Sequence, residues 1–260
     1  MDVNKFELSK CLITRPPLSE TGTFLPVLPL PDRLFKYTRR IFFDQFLIRG
    51  EIRLGTLFGY QDIETFGISI GDDQEGHRYL WPEHPEIDVP MYTAMIALNS
   101  WIYCMTSLLD DRLFKEFDAD CVFEITSPEF FHAIARTLFP ECSLGLLVAV
   151  RYPSDEQISE NIAAQSNRAA RAKHLELPRA AETKRPEYAH QSEVRAMWEP
   201  HSVRGALAPD GLSQAFSRED QDLYWRDRRA FLKSQTYLRP DLRARNIRIP
   251  EARSFVQLIH

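Results

Sequence analysis

Apolar residues follow two different periodicities along this chain, in an order that restricts the fold more than any other feature. Alternating or continuous apolar runs, the mark of strands, occur in "RLFKY" (33–37), "EIRLGTLFGY" (51–60), "SWIYCMTSLL" (100–109), "DCVFEIT" (120–126), "LGLLVAVRY" (144–152), "SEVRAMW" (192–198) and "SFVQLIH" (254–260). In "TRRIFFDQFLIRG" (38–50), Ile41, Phe42, Gln45 and Phe46 stand at helical spacing, with Thr38 as the expected cap and Gly50 at the expected end. "DDRLFKEF" (110–117) reads as a short helix, and "SPEFFHAIARTLF" (127–139) as a longer one with Ser127 as cap and Pro128 in its first turn. Ser154 and Gln157 form a capping box for a polar, Ala-rich helix over 155–173, and a charged helix falls near 217–235. Strands and helices do not take regular turns as they do in βαβ units, so the expected class is α+β rather than a doubly wound parallel sheet.

The first 31 residues behave differently. Many of the 17 prolines crowd into "TRPPLSETGTFLPVLPLP" (14–31) and its surroundings, and each removes a donor and fixes φ. Residues 1–31 are therefore expected to form an extended arm rather than a sheet centre, on a single domain covering 1–260, with 200–260 extending its core. The stretch from 61 to 92, polar and then rich in aromatics and prolines, reads as a long irregular excursion.

Several function classes lose support at once. A formal charge of −5 gives no global attraction to nucleic acid or anionic membrane. The opening "MDVNKFELSK" lacks the apolar core of a secretory signal, and no apolar run is long enough to span a bilayer, so a cytoplasmic protein without membrane contact is expected. Cys11, Cys104, Cys121 and Cys142 are scattered, without a Cys-x-x-Cys pair or a His to complete a zinc site, and read as small buried apolar groups; no metal is expected. With ten glycines in the whole chain and no Walker or dinucleotide glycine loop, any nucleotide must be held in another way. "GISIG" (67–71) fits the serine-hydrolase pattern around Ser69, but the acidic "DDQEG" follows it where a helix should, and those carboxylates would destabilise an oxyanion. Asp72, Asp73 and Glu75 read as a solvated loop rather than a cation site.

Three blocks survive: "LFKYTRR" (34–40), "YCMTSL" (103–108) and "HQSEV" (190–194), each opening or closing an expected strand. In that order they resemble the NAD-dependent ADP-ribosyltransferases. The longer block "KYTRRIFFDQFLIRGEIRLGTLFGYQDIE" (36–64) is also similar to small bacterial toxins and phage-defence proteins of that class, among them the ADP-ribosyltransferase toxin of toxin–antitoxin–chaperone systems. The resemblance implies an ADP-ribosyltransferase-like split β-sheet core with flanking helices, holding NAD in a cleft without a glycine loop. It implies Glu193 as the catalytic carboxylate and Gln191, on the same side of an extended segment, as the residue that orients the acceptor. Thr106 and Ser107 would hold the ribose on the nicotinamide side or support Glu193, Tyr37 would face the nicotinamide, and Lys36 or Arg39 would meet the diphosphate or the adenosine ribose. The family's first-strand Arg or His is replaced here by a choice among Lys36, Tyr37 and Arg39.

Each residue also has a plainer role open to it: Glu193 as a solvated strand residue, Thr106 and Ser107 as caps of the helix that begins near Leu108, Tyr37 as core. The acceptor is open between protein and RNA. Basic residues gather at Arg168–Arg185 and again at Arg226–Arg248, the latter interleaved with Tyr224, Trp225 and Tyr237 and offset by Glu219, Asp220, Asp222 and Asp227. A modifying toxin also implies an antitoxin partner. The alternative classes are a non-catalytic nucleic-acid-binding or adaptor protein, and a hydrolase using Ser69.

Overall fold

The computed structural model describes residues 23–27, 30–61, 77–80, 93–96, 99–139, 141–142, 144–154, 157, 182–198, 200 and 242–260. They form an α+β structure built on a nine-stranded, mostly antiparallel sheet. Strand β9 (Glu193–Trp198) runs through its middle, antiparallel to β8 (Leu144–Ala149) on one side and β6 (Trp101–Thr106) on the other. Beyond β8, β1 (Thr23–Val27) pairs in parallel at the sheet's edge. The proline-rich arm thus contributes an edge strand containing Pro26, the position in a sheet where a missing N–H is tolerated.

On its other side β6 meets two strands. Thr106, at its end, pairs with Phe35 of β2 (Phe35–Thr38), whereas Trp101 and Ile102, at its start, pair with Thr56 and Gly55 of β3 (Glu51–Thr56). From there β2 leads to β7 (Cys121–Ile125) and β11 (Val256–Leu258), and β3 leads to β10 (Arg245–Arg248). Between the two junctions Tyr103, Cys104 and Met105 pair, among the described residues, with β9 alone. The sheet therefore forks at β6, and the cleft of the fork lies between β2 and β3.

Helix α1 (Arg40–Arg49) connects the two arms of the fork and buries Phe43 and Phe46. Gly50 ends it in the left-handed conformation, φ 69°, and a Cβ there would lie 2.4 Å from the Pro250 Cα. Only glycine satisfies both conditions. Alternation along β6 and β9 sends Trp101, Tyr103, Met105, Val194, Ala196 and Trp198 into the main core with α1 and α3 (Glu129–Leu138). The opposite face holds a smaller cluster of Ile102, Leu146, Val148, Met197 and Leu57, and Glu193 and Arg195 lie on that face.

A strand forms in each of the seven segments expected to hold one, 33–37, 51–60, 100–109, 120–126, 144–152, 192–198 and 254–260. Differences are local. Thr38 does not cap α1, because it is a strand residue paired with Cys121; the Arg40 N–H instead donates to the Asp120 carboxylate. Ser127 does accept the Glu129 N–H (3.2 Å), and Ser154 and Gln157 exchange the two bonds of a capping box (2.9 and 3.2 Å). Strand β10 was not anticipated, since of its four residues only Ile247 is buried and apolar. A short antiparallel pair, β4 (His77–Leu80) with β5 (Thr93–Ile96), forms in and beside the segment read as irregular. Ser69, Asp72, Asp73, Glu75, most of the helix expected over 155–173 and the charged helix near 217–235 lie outside the described residues.

Candidate functional site

The antiparallel register of β6 and β9 sets Thr106 opposite Glu193 and Cys104 opposite Arg195. Glu193 opens β9 immediately after a 3₁₀ turn, Pro186–Gln191, and Ser192 between them is left-handed at φ 42°, ψ 52°. The Gln-Ser-Glu segment is therefore bent, which corrects the expectation of an extended segment with Gln191 and Glu193 on one face. The side chains meet all the same, because the Lys184 ammonium donates to Gln191 Oε1 (3.0 Å) and to Glu193 Oε2 (3.2 Å).

Glu193 is 7% exposed, out of bulk water. Arg195 Nε donates to its other oxygen, Oε1, at 2.7 Å. Burial would raise the carboxyl's pKa, but the Arg195 guanidinium and the Lys184 ammonium outweigh it and hold the group well below the usual carboxylate range. Two close opposite charges, each on the order of 4 kcal/mol at 4 Å and an effective dielectric of ~20, exceed the several kcal/mol that desolvating one ion costs. Such a group is a poor proton acceptor and a permanent negative charge. The half-buried Cys104 thiol lies against it and is pushed up to about 12, by burial first and then by the Glu193 charge, so it stays neutral.

A second layer holds this cluster. Gln191 Nε2 donates to Glu116 Oε1 of α2 (Arg112–Glu116) at 2.6 Å. A carboxylate only accepts and an ammonium only donates, so Glu116 and Lys184 together set which way the Gln191 amide points. His190 Nε2 also lies against the Glu116 carboxylate, at 2.8 and 2.9 Å. The Thr106 hydroxyl donates to the Gln191 carbonyl (2.6 Å) and accepts the Leu108 N–H (3.0 Å), and the Ser107 N–H donates to the Ser192 carbonyl (3.1 Å). Thr106 and Ser107 thus support Glu193 through the backbone turn that precedes it.

The first-strand candidates separate by environment. Tyr37 is 6% exposed, with its ring edge-on to Phe114 at 5.0 Å and its hydroxyl accepting the Asp110 N–H (2.8 Å) and donating to the Asp110 carbonyl (3.1 Å). Arg39 is exposed and ion-paired with Asp118. Lys36 is turned into the fork: its ammonium donates to the Cys104 carbonyl (2.7 Å) and sits 4.8 Å from the centre of the Tyr103 ring. Desolvation lowers its pKa, against the opposing influence of Cys104 and Glu193.

A cavity of about 510 Å³ brings together Lys36, Tyr37, Arg39, Thr106, Gln191 and Glu193; of the expected site residues Ser107 alone is not in its wall. Five cations line it, Lys36, Arg39, Arg53, Lys184 and Arg195, against the carboxylates of Asp118 and Glu193. That balance favours an anionic ligand. Sequence reasoning missed Arg195, Lys184 as a partner of Glu193, and Glu116. Arg195 was within reach, since residues two apart on a strand share a face. Nothing local to Glu116 marks it.

Among the described residues no group of three His, Cys, Asp or Glu side chains is placed to hold a metal, and no helix is long and apolar enough to cross a membrane. No protein-family model, curated protein or solved structure matches this chain.

Proposed function

We propose that the cavity binds NAD and that the protein is a mono-ADP-ribosyltransferase with a split-sheet core of that kind, acting as a bacterial toxin or phage-defence effector on a protein or RNA acceptor. The observation that carries the reading is an ionised carboxylate, Glu193, in the wall of a cationic cavity at the fork of the sheet. The cavity is of a size that small ligands occupy, roughly 300–1,000 Å³.

In the proposed reaction the bond between the ribose C1′ and the nicotinamide nitrogen breaks, and its electron pair leaves with neutral nicotinamide. The sugar carbon acquires oxocarbenium character, the acceptor's nucleophile bonds to C1′, and the nucleophile's proton passes to solvent. A fixed negative charge stabilises that transition state more than the ground state. Glu193 takes this role, and its depressed pKa suits a permanent anion rather than a base. Gln191, fixed by Glu116 and Lys184, would orient the acceptor. Of the first-strand candidates Lys36 is best disposed to meet the diphosphate, since its ammonium faces the interior of the fork whereas Arg39 is paired at the rim. An antitoxin that restrains such an enzyme is part of the same proposal.

A second reading has its own support. Both oxygens of Glu193 already accept from cations, as in a structural ion cluster inside a non-catalytic anion-binding or nucleic-acid adaptor protein. One assay separates the two. Purified protein with NAD labelled in its adenylate half, mixed with a cell lysate, should release nicotinamide and transfer label to protein or RNA. Glu193→Gln should abolish both while circular dichroism remains native, and Lys184→Met can be added if the single variant is too unstable to assay. Turnover undiminished in folded Glu193→Gln would remove Glu193 from the mechanism, and no thermal stabilisation by millimolar NAD would favour the adaptor.

A further inference from the structure

A second cavity, of about 670 Å³, adjoins the first across the fork, and the two share Lys36, Thr38, Phe42, Arg53 and Tyr60. Two of these shared residues stand out by lacking partners. Phe42 is 56% exposed and makes no ring contact among the described residues, whereas its neighbours on α1, Phe43 and Phe46, both stack on Phe123 at 5.0 and 6.3 Å. Arg53 has neither a hydrogen bond nor an ion pair among the described residues, whereas Arg33, Arg39, Arg40, Arg112, Arg195 and Arg245 each lie on a carboxylate. The wall is kept narrow at one point by Gly55. A Cβ there would come within 2.6 Å of the Tyr60 ring, so glycine is what lets that ring lie against the strand.

An aromatic face without a stacking partner and a guanidinium without an anion, in the wall of one cavity, match a planar ring that carries a phosphate. We infer that the second cavity is a binding site for a nucleoside monophosphate unit, with Phe42 stacking on the base and Arg53 pairing with the phosphate. This deepens the NAD reading and rests on it in one respect: if NAD is the ligand, it lies through the fork with its adenylate half in the second cavity and its nicotinamide half beside Glu193. The same chemistry would also receive one nucleotide of a single strand.

Adenosine monophosphate titrated calorimetrically into the full chain tests the site. Phe42 and Arg53 are both exposed, so Phe42→Ala and Arg53→Ala should fold as the parent does. Expected is saturable binding that each substitution weakens at least about fivefold, the lower end of what one base stack contributes. No binding at millimolar nucleotide, or equal affinity in the parent and both variants, overturns the inference. Displacement of the bound nucleotide by NAD identifies the dinucleotide as its source, and displacement by a single-stranded oligoribonucleotide but not by NAD identifies a strand. The two proposals fail separately. Nucleotide binding lost in both variants, in a protein that never turns over NAD, leaves this site standing without the transferase. NAD turnover by a protein that ignores the mononucleotide does the reverse.

Discussion

The two arms of the fork treat their polar side chains differently. Beside the β2 arm, where Thr106 pairs with both Phe35 and Glu193, the side chains of Glu193, Gln191, Lys184, Arg195 and Glu116 are tied to one another through bonds of 2.6–3.2 Å. On the β3 arm and the adjoining face of α1, Arg53 and Phe42 have no such partners among the described residues. The first arrangement is organised before any ligand arrives, which is what electrostatic work on a reacting centre requires. The second leaves its contacts to be made by the ligand, which suits recognition of a ring and a phosphate. In the polar network each member fixes the next; Phe42 and Arg53 would be fixed by the ligand we infer.

Substitutions should expose that contrast in descending size. Glu193→Ala leaves two buried cations uncompensated and should cost about 3–5 kcal/mol in urea unfolding. Adding Lys184→Met should recover part of the loss, and a cost below about 1 kcal/mol would mean that the network is not what holds the first arm. The same cluster has a pH signature. The folded pKa of Glu193 lies below its unfolded value, so its contribution to stability is complete above the ordinary carboxylate pKa of about 4.3 and is lost as the pH falls from there towards the folded value. Urea midpoints measured across the acid range should therefore fall less steeply in Glu193→Ala than in the parent.

Gly50→Ala acts on the open arm through α1. It places a Cβ in a left-handed residue and against Pro250, and should cost at least about 1–2 kcal/mol, read as a lowered melting temperature. Glu116→Ala removes the acceptor of the Gln191 amide and should cost about 1–2 kcal/mol, discounted because the pair is only partly buried. If the transferase reading holds, its larger effect should be on kcat rather than KM, since Gln191 then loses its orientation. Smallest of all, Arg53→Ala and Phe42→Ala should shift unfolding by no more than about 0.5 kcal/mol. A larger loss from either would show that the open arm is structural after all.

Much of this was legible before any coordinates. Gly50 as the end of α1, the Ser154–Gln157 box and seven strands followed from periodicity and local hydrogen-bonding chemistry, which act within a few residues. The gathering of Lys36, Tyr37, Arg39, Thr106, Gln191 and Glu193 in one wall was anticipated through the resemblance of three blocks rather than through any pattern in one of them. Other features were out of reach. Strand β10 carries one buried apolar residue and so leaves no alternation to read. Ser192 turns left-handed because its neighbours on both sides are held, Gln191 by Thr106 and Glu193 by β6.

The chain by itself determined most of the strands and helices, because apolar spacing and capping groups act over one or two turns, but not β4, β5 or β10. Only the tertiary structure decided that β6 serves two strands at once, that Glu116 fixes Gln191, and that Lys184 and Arg195 keep Glu193 ionised. Those outcomes depend on register and burial between residues far apart in sequence, and the strength of a charge pair depends on how much water the rest of the fold removes from around it.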